Sequence, residues 1–238
     1  MKSTTPKVLL DLVGRPMLAH VIRAARTLRP RSLVVIGGRH LPSIRSAFER
    51  EPGLAYARQP KPLGTGHAVR FGLRALPRGR GAVLVLSGDV PLVTPATLKR
   101  LVRDHRRSRA SVTVLTSVVR NAAGLGRIVR DAQGALLGIV EEKDADEATL
   151  AIREINSGIY VFERAALERL LPKVGRKNAQ GEYYLTDVLG LARAAGGVVG
   201  LVAAADPGEV AGINLPTELA AARRVLRRRK ASQSPKAL

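Results

Sequence analysis

Asp89 is the carboxylate best placed to do chemistry, because Ser87-Gly88-Asp89 follows directly on an apolar run of alanine, valine and leucine. A side chain there projects at the carboxyl end of a strand. A hard oxygen in that position suits Mg²⁺, which keeps several waters and is held by one or two protein groups together with substrate phosphates. Taken alone, Ser-Gly-Asp after a strand is as readily a plain turn, since Gly and Asp are common turn formers. Gln59 and the turn Gly64-Thr65 form a second group. Glycine permits close backbone approach, and Thr65 opens a helix whose free N–H groups can face a base or a phosphate. Without a ligand the same pattern is an ordinary loop-to-helix start. His67, two residues into that helix, reads as a packing or capping residue. The sequence holds no Ser-His-Asp or Cys-His constellation for covalent catalysis.

These groups need a sheet to hold them. Short valine-rich runs alternate with longer helical patterns, the signature of a parallel sheet built from strand-helix-strand units. Residues 32–37, 82–87 and 111–118 read as strands, and residues 16–28 and 65–76 as helices. Thr94 followed by Pro95 is an N-cap and first-turn pair for a helix to about residue 107. A hairpin is expected over residues 126–142, then a strand over 154–162 and a helix over 165–171. The architecture predicted is α/β, a doubly wound and mostly parallel sheet whose ligands lie beyond the carboxyl ends of the strands.

Composition bounds the partners. A chain of 238 residues with 45% hydrophobic content can bury one large core. We read a single domain over residues 1–229 and a basic, disordered tail over 230–238. No cysteine is present, which excludes disulfides and thiolate metal sites. No apolar run spans a bilayer and no signal-peptide pattern opens the chain, so no membrane partner and a cytoplasmic location are expected. The net charge of +21 suggests nucleic acid, yet only nine of the 40 basic residues are lysine and the arginines are scattered through nearly every helix. Aromatics make up 3% with no tryptophan, leaving few platforms for base stacking, so a dedicated nucleic-acid partner is not expected. The cluster Arg223, Arg224, Arg227 to Lys230 fits the basic last turn of a helix. Oligomeric state is not legible.

Three polar blocks occur in a fixed order: residues 63–68 (Leu-Gly-Thr-Gly-His-Ala), 87–92 (Ser-Gly-Asp-Val-Pro-Leu) and 178–187 (Asn-Ala-Gln-Gly-Glu-Tyr-Tyr-Leu-Thr-Asp). Together they resemble the uridylyltransferase domain of the bifunctional N-acetylglucosamine-1-phosphate uridylyltransferase/glucosamine-1-phosphate acetyltransferase family, which makes UDP-N-acetylglucosamine. The resemblance implies a Rossmann-like nucleotide-diphospho-sugar transferase fold. It also implies transfer of UMP from UTP to N-acetylglucosamine 1-phosphate, with those two molecules as partners. By the same resemblance, Asp89 and Asn214 ligate Mg²⁺, Lys7 and Asp89 are catalytic, and Lys7, Gln59, Gly64 and Thr65 bind UTP. Ser87, Gly88, Gly126, Glu141 and Asn156 bind the sugar, and residues 178–187 order a loop and helix beside it.

Relatives carry a first strand and a glycine-rich phosphate loop whose closing methionine matches Met1, so the sheet is expected to lack that strand and the chain to be impaired in stability and turnover. No hexapeptide repeat is present, and the acetyltransferase half is not expected here. The alternatives are another sugar-1-phosphate nucleotidyltransferase or a non-catalytic nucleotide-sugar-binding protein.

Overall fold

The computed structural model describes residues 5–233; Met1, on which the expected start of the sheet was placed, lies outside them. In chain order the regular elements are α1 (Met17–Arg26), β1 (Leu33–Gly37), α2 (Leu41–Ala47), β2 (Leu54–Arg58), α3 (Thr65–Ala75), β3 (Ala82–Val85), α4 (Pro95–Arg107) and β4 (Val112–Val118). They continue with β5 (Arg127–Arg130), β6 (Leu136–Val140), α5 (Glu147–Leu150), β7 (Glu154–Glu163), α6 (Arg164–Leu170), α7 (Asp187–Ala194), β8 (Val199–Ala203) and α8 (Pro216–Gln233).

The strands form a parallel pair, β1 with β2, and a six-stranded sheet of order β6-β5-β7-β4-β8 in which β3 also pairs with β7. The fold is the expected Rossmann-like α/β class. Within the larger sheet, however, the pairing is mixed: β4 and β8 run parallel, but β7 is antiparallel to β3, β4 and β5. The β5-β6 hairpin leaves from and returns to the end of the sheet where β4 finishes, so β7 begins there, with Glu154 opposite Val118, and runs back antiparallel to β4.

Both faces of the larger sheet are covered. Tyr160 and Phe162 of β7 pack with Leu167, Leu170 and Val188 from α6 and α7 on one face. The alternating residues Ile159 and Val161 pack with Leu98 and Leu101 of α4 on the other. This is the period-two side-chain alternation of a strand buried on both sides. Helix α4 starts where the Thr-Pro pair placed it, with the Thr97 N–H donating to Thr94 Oγ1 at 3.2 Å. The buried carboxylate of Glu209 accepts from Thr94 N and Thr94 Oγ1 at 3.2 and 3.0 Å, which ties the segment before α8 to the start of α4. Helix α8 runs on through Lys230 to Gln233, past the expected boundary of the tail, because alanine and arginine are both strong helix formers. Residues 234–238 lie outside the described part. No helix among the described residues is long and apolar enough to cross a membrane.

The expectation of an incomplete sheet has a physical counterpart. A cleft of about 700 Å³ separates β1 from β3 and is walled by aliphatic side chains of α1 and α3, including Leu18, Ile22, Val69 and Leu73. Among the described residues β1 pairs only with β2 and β3 only with β7, so each presents an edge without a ladder partner toward this cleft. Their residues are accordingly mostly half-buried, whereas β4 is buried over nearly its whole length. Amides with no ladder partner and access to water open at low free energy. In hydrogen exchange followed by mass spectrometry, peptides covering β1 and β3 should therefore exchange well before those covering β4 and the second half of β7. Equal protection in the four strands would show that the cleft is closed in solution.

Candidate functional site

Asp89 lies in the turn after β3, and Lys7 sits on a short 3₁₀ turn, Lys7–Leu9, that reaches it. The Lys7 ammonium donates to Asp89 Oδ2 at 2.7 Å and to Asn214 Oδ1 at 2.7 Å. Asn214 is brought there from the loop between β8 and α8 by two contacts. The Ile213 N–H donates to Asp89 O at 3.0 Å, and Glu218 Oε2 accepts from Asn214 N and Leu215 N at 2.5 and 2.8 Å, closing the start of α8. Three residues separated by most of the chain thus meet at the carboxyl end of β3. Among the described residues no group of three or more His, Cys, Asp or Glu side chains converges. One carboxylate and one amide are the donor set that Mg²⁺ accepts when phosphates and water supply the rest, and the ammonium already marks the point where a cation is held.

Gln59 follows β2. Its Nε2 donates to Gly64 O at 3.0 Å and lies 3.1 Å from His67 Nδ1. With both amide hydrogens so directed, the group left for a ligand is Oε1, an acceptor. Gly64 adopts φ +99° as the residue before α3, and a side chain there would meet the Tyr183 backbone. The turn is less open than the sequence suggested. Gly66 N–H is spent on Tyr183 O at 2.8 Å, and Thr65 Oγ1 accepts from Leu185 N at 3.1 Å.

Gly126, Glu141 and Asn156 are also brought together. Asn156 N–H donates to Gly126 O at 2.9 Å, and a side chain on Gly126 would lie 3.2 Å from Glu141 Oε2. Glu141 Oε1 accepts from Thr186 Oγ1 at 3.3 Å. Burial pushes the Glu141 carboxyl up, the Thr186 hydrogen bond pulls it down, and Asp144, Asp187 and Glu182 push it up further. The link from this set to β3 is Ser87, whose Oγ donates to Gly158 O at 3.3 Å; Gly88 lies against Leu18 and Val8. Gly158 has φ +74°, and Asn156 Oδ1 accepts from its N–H at 3.0 Å.

Sequence reasoning gave His67 a packing role and no individual role to Tyr183, Thr186 or Gly158, all of which this arrangement uses. His67 holds the Gln59 amide and stacks on Tyr183, ring centroids 5.9 Å apart. Tyr183 also carries the Arg70 guanidinium over its ring at 4.5 Å. Thr186 reaches Glu141, and Gly158 bends β7 beside Ser87. The polar block over residues 178–187 signalled Tyr183 and Thr186, but not that the block would grip the Gly64-Thr65 turn as well as the Glu141 side. Gly158 carried a signal too, a glycine inside a strand pattern, which often marks a bulge.

An α/β sheet with an acidic residue and a lysine at the carboxyl end of a strand fits the Rossmann-like nucleotidyltransferase class. The chain belongs to the MobA-like NTP transferase domain family, whose model matches residues 1–182. It is 49% identical over 229 residues to the bifunctional protein GlmU of Streptomyces avermitilis, covering 95% of this chain and 48% of that protein. Against the bifunctional protein GlmU of Bordetella parapertussis it is 50% identical over 220 residues, 90% of this chain and 47% of that protein. The chain spans about half the length of the curated relatives it matches, and the resemblance read from the three polar blocks is borne out. The solved structure of CMP:2-keto-3-deoxy-manno-octonic acid synthetase complexed with CTP superposes with a TM-score of 0.66 at 20% identity, covering 94% of this chain and 92% of that one, which is a likeness of fold.

Two outcomes follow from the geometry. A Cβ on Gly158 would sit 2.7 Å from Ser87 Oγ at a φ that L-residues avoid, so Gly158→Ala should cost about 1–2 kcal/mol or more in urea denaturation. Adding Ser87→Gly should recover part of that loss by removing the collision. For Glu141 the raised pKa fixes the sign: the folded chain prefers the protonated form, and that preference is fully present at acid pH and lost as pH rises through the elevated value. Glu141→Gln should therefore gain stability relative to the parent on going from acid to neutral pH, measured as the difference in melting temperature. A difference that stays flat with pH would mean that Glu141 is not perturbed.

Proposed function

We propose that this chain transfers UMP from UTP to N-acetylglucosamine 1-phosphate, releasing pyrophosphate and forming UDP-N-acetylglucosamine. The observation that carries the reading is the meeting of Asp89 and Asn214 on one cation at the end of β3, joined through Ser87 and Gly158 to Asn156, Gly126 and Glu141. A set of polar groups that could bind a hydroxylated acceptor is thus linked to an oxygen pair suited to a metal-polyphosphate. The relatives reported above support the same reading.

In this proposal a phosphate oxygen of the sugar phosphate attacks the α-phosphorus of UTP in line, the bond to the β-phosphate bridging oxygen breaks, and pyrophosphate leaves. Such transfers need positioning and charge stabilisation rather than a covalent nucleophile. Asp89 and Asn214 would hold Mg²⁺, which when bound neutralises charge on phosphoryl oxygens. Lys7 would carry a compact positive charge to the phosphates. Gln59, held by Gly64 and His67, would present Oε1 to the base. That acceptor matches the N3–H of uracil and opposes the N3 lone pair of cytosine. Glu141 and Asn156 would bind the amino-sugar hydroxyls, since such sites reject analogues that leave their polar groups unpaired. Gly126 would keep the space above Glu141 clear. A cytoplasmic location is part of the same proposal.

The test is selectivity. Calorimetric binding and pyrophosphate release should favour UTP over CTP by about tenfold or more, as one mismatched buried hydrogen bond costs roughly 1–3 kcal/mol. N-acetylglucosamine 1-phosphate should be preferred over glucose 1-phosphate. Preference for CTP would overturn the assignment of Gln59, and preference for glucose 1-phosphate that of the sugar set.

A further inference from the structure

We infer that the Lys7 ammonium is a placeholder for the metal: in the nucleotide-free protein it holds Asp89 and Asn214 in ligating positions, and it leaves them when a divalent cation and a polyphosphate bind together. The inference rests on the metal reading of Asp89 and Asn214 proposed above and goes beyond it by making Lys7 a competitor as well as a phosphate contact.

The geometry is specific. One ammonium nitrogen lies 2.7 Å from Asp89 Oδ2 and 2.7 Å from Asn214 Oδ1. A Mg²⁺ ion bridging the same oxygens at its usual distance of about 2.1 Å can be no more than about 5 Å from that nitrogen. Lys7 and Asp89 side chains are only 33% and 30% exposed, so solvent screens their charges incompletely. Two cations at that separation repel, and they compete for the same lone pairs. A metal arriving alone must therefore displace Lys7 with nothing to receive it. A polyphosphate provides the receiver, because its oxygens accept the ammonium hydrogens once Asp89 and Asn214 are given up. Metal and nucleotide then strengthen each other's binding, a reciprocal coupling.

The same contact has a positioning effect. Asn214 is exposed, and its amide is otherwise fixed only through its own backbone, by Glu218 and by the neighbouring Ile213 bond to Asp89. The ammonium keeps its Oδ1 turned toward the Asp89 carboxylate before a metal is present. Lysine suits the task because its head lies on a flexible four-carbon stem and can move without the backbone moving.

Mn²⁺ is the probe, its free concentration followed by electron paramagnetic resonance with and without a non-hydrolysable α,β-methylene analogue of UTP. Without nucleotide, Lys7→Met should bind Mn²⁺ about tenfold more tightly than the parent, within the range of typical coupling energies. The analogue should raise Mn²⁺ affinity in the parent and much less in the variant. Lys7→Gln, which keeps a neutral donor, should behave like Lys7→Met, and cooperative melting of both checks the fold. A merely structural lysine would leave Mn²⁺ affinity unchanged or weaker, and either result overturns the inference. Asp89→Asn should abolish the binding in every background. Undiminished Mn²⁺ binding in Asp89→Asn would remove the metal reading itself, a failure distinct from unchanged affinity in the Lys7 variants.

Discussion

One backbone conformation joins the two halves of the site: the left-handed glycine at Gly158. Strand β7 pairs with β4 along one edge, and the register of that pairing shifts between Val114 and Thr116, opposite the bend. Along its other edge β7 serves two neighbours. Ile155, before the bend, faces Arg127 of β5, whereas Tyr160 to Glu163, after it, pair with β3. The bend falls between these two pairings. Glycine at φ +74° supplies the turn without a Cβ to collide with Ser87. The polar set at Gly126, Glu141 and Asn156 and the acidic turn at Asp89 therefore keep a fixed relation through a strand buried on both faces.

Electrostatics is arranged around this frame by subtraction. A chain with a net charge of +21 attracts a triphosphate over long range, but steering does not choose a register. Register comes from where acidic groups interrupt the positive background. Asp89 is paired with Lys7 at the end of β3, while Glu141 is tucked under Thr186 with its carboxyl pushed up by burial. The same chemical group thus sits in two environments, ion-paired at Asp89 and desolvated at Glu141.

Much of this was legible because local chemistry and global fold agree. Thr94-Pro95, the valine-rich runs and the loop after Arg130 each specify their own element, and the structure places those elements within a residue or two. What the sequence hid depends on contacts between distant segments. Strand β2, with its mixed run Leu54 to Arg58, is half-buried and paired on one edge only, so its alternation is weak. Strand β8 is held by parallel pairing to β4 and begins at Val199, in a glycine- and valine-rich stretch that resembles a loop as much as a strand. The reversed direction of β7 could not be read from its residues, since a strand buried on both faces looks the same either way. The proposed Asp89 and Asn214 pair came from resemblance rather than spacing, because an asparagine far along the chain carries no local mark.

The split between β1 and β3 gives the polar block at residues 178–187 its weight. Gln59 follows a strand of the two-stranded sheet and Asp89 one of the larger sheet, and among the described residues no backbone ladder connects the two sheets. Their relative position must then be set by packing across α1 and α3 and by the hydrogen bonds that bind the start of α3 to the 183–185 segment. Those bonds are Tyr183 N to Leu63 O, Gly66 N to Tyr183 O and Leu185 N to Thr65 Oγ1. Arg70 adds two more anchors on Leu171 O and Val174 O while its guanidinium covers Tyr183. At about 1 kcal/mol net for each neutral bond, this seam contributes several kcal/mol, a large share of the 5–15 kcal/mol by which a domain of this kind is typically stable. A sheet with an open cleft can thus still hold Gln59 in register with the strand-end aspartate, provided that the seam stays closed. The block bonds the Gly64-Thr65 turn through Tyr183 and Leu185 and the Glu141 carboxylate through Thr186, so one segment ties both sides of the cleft together.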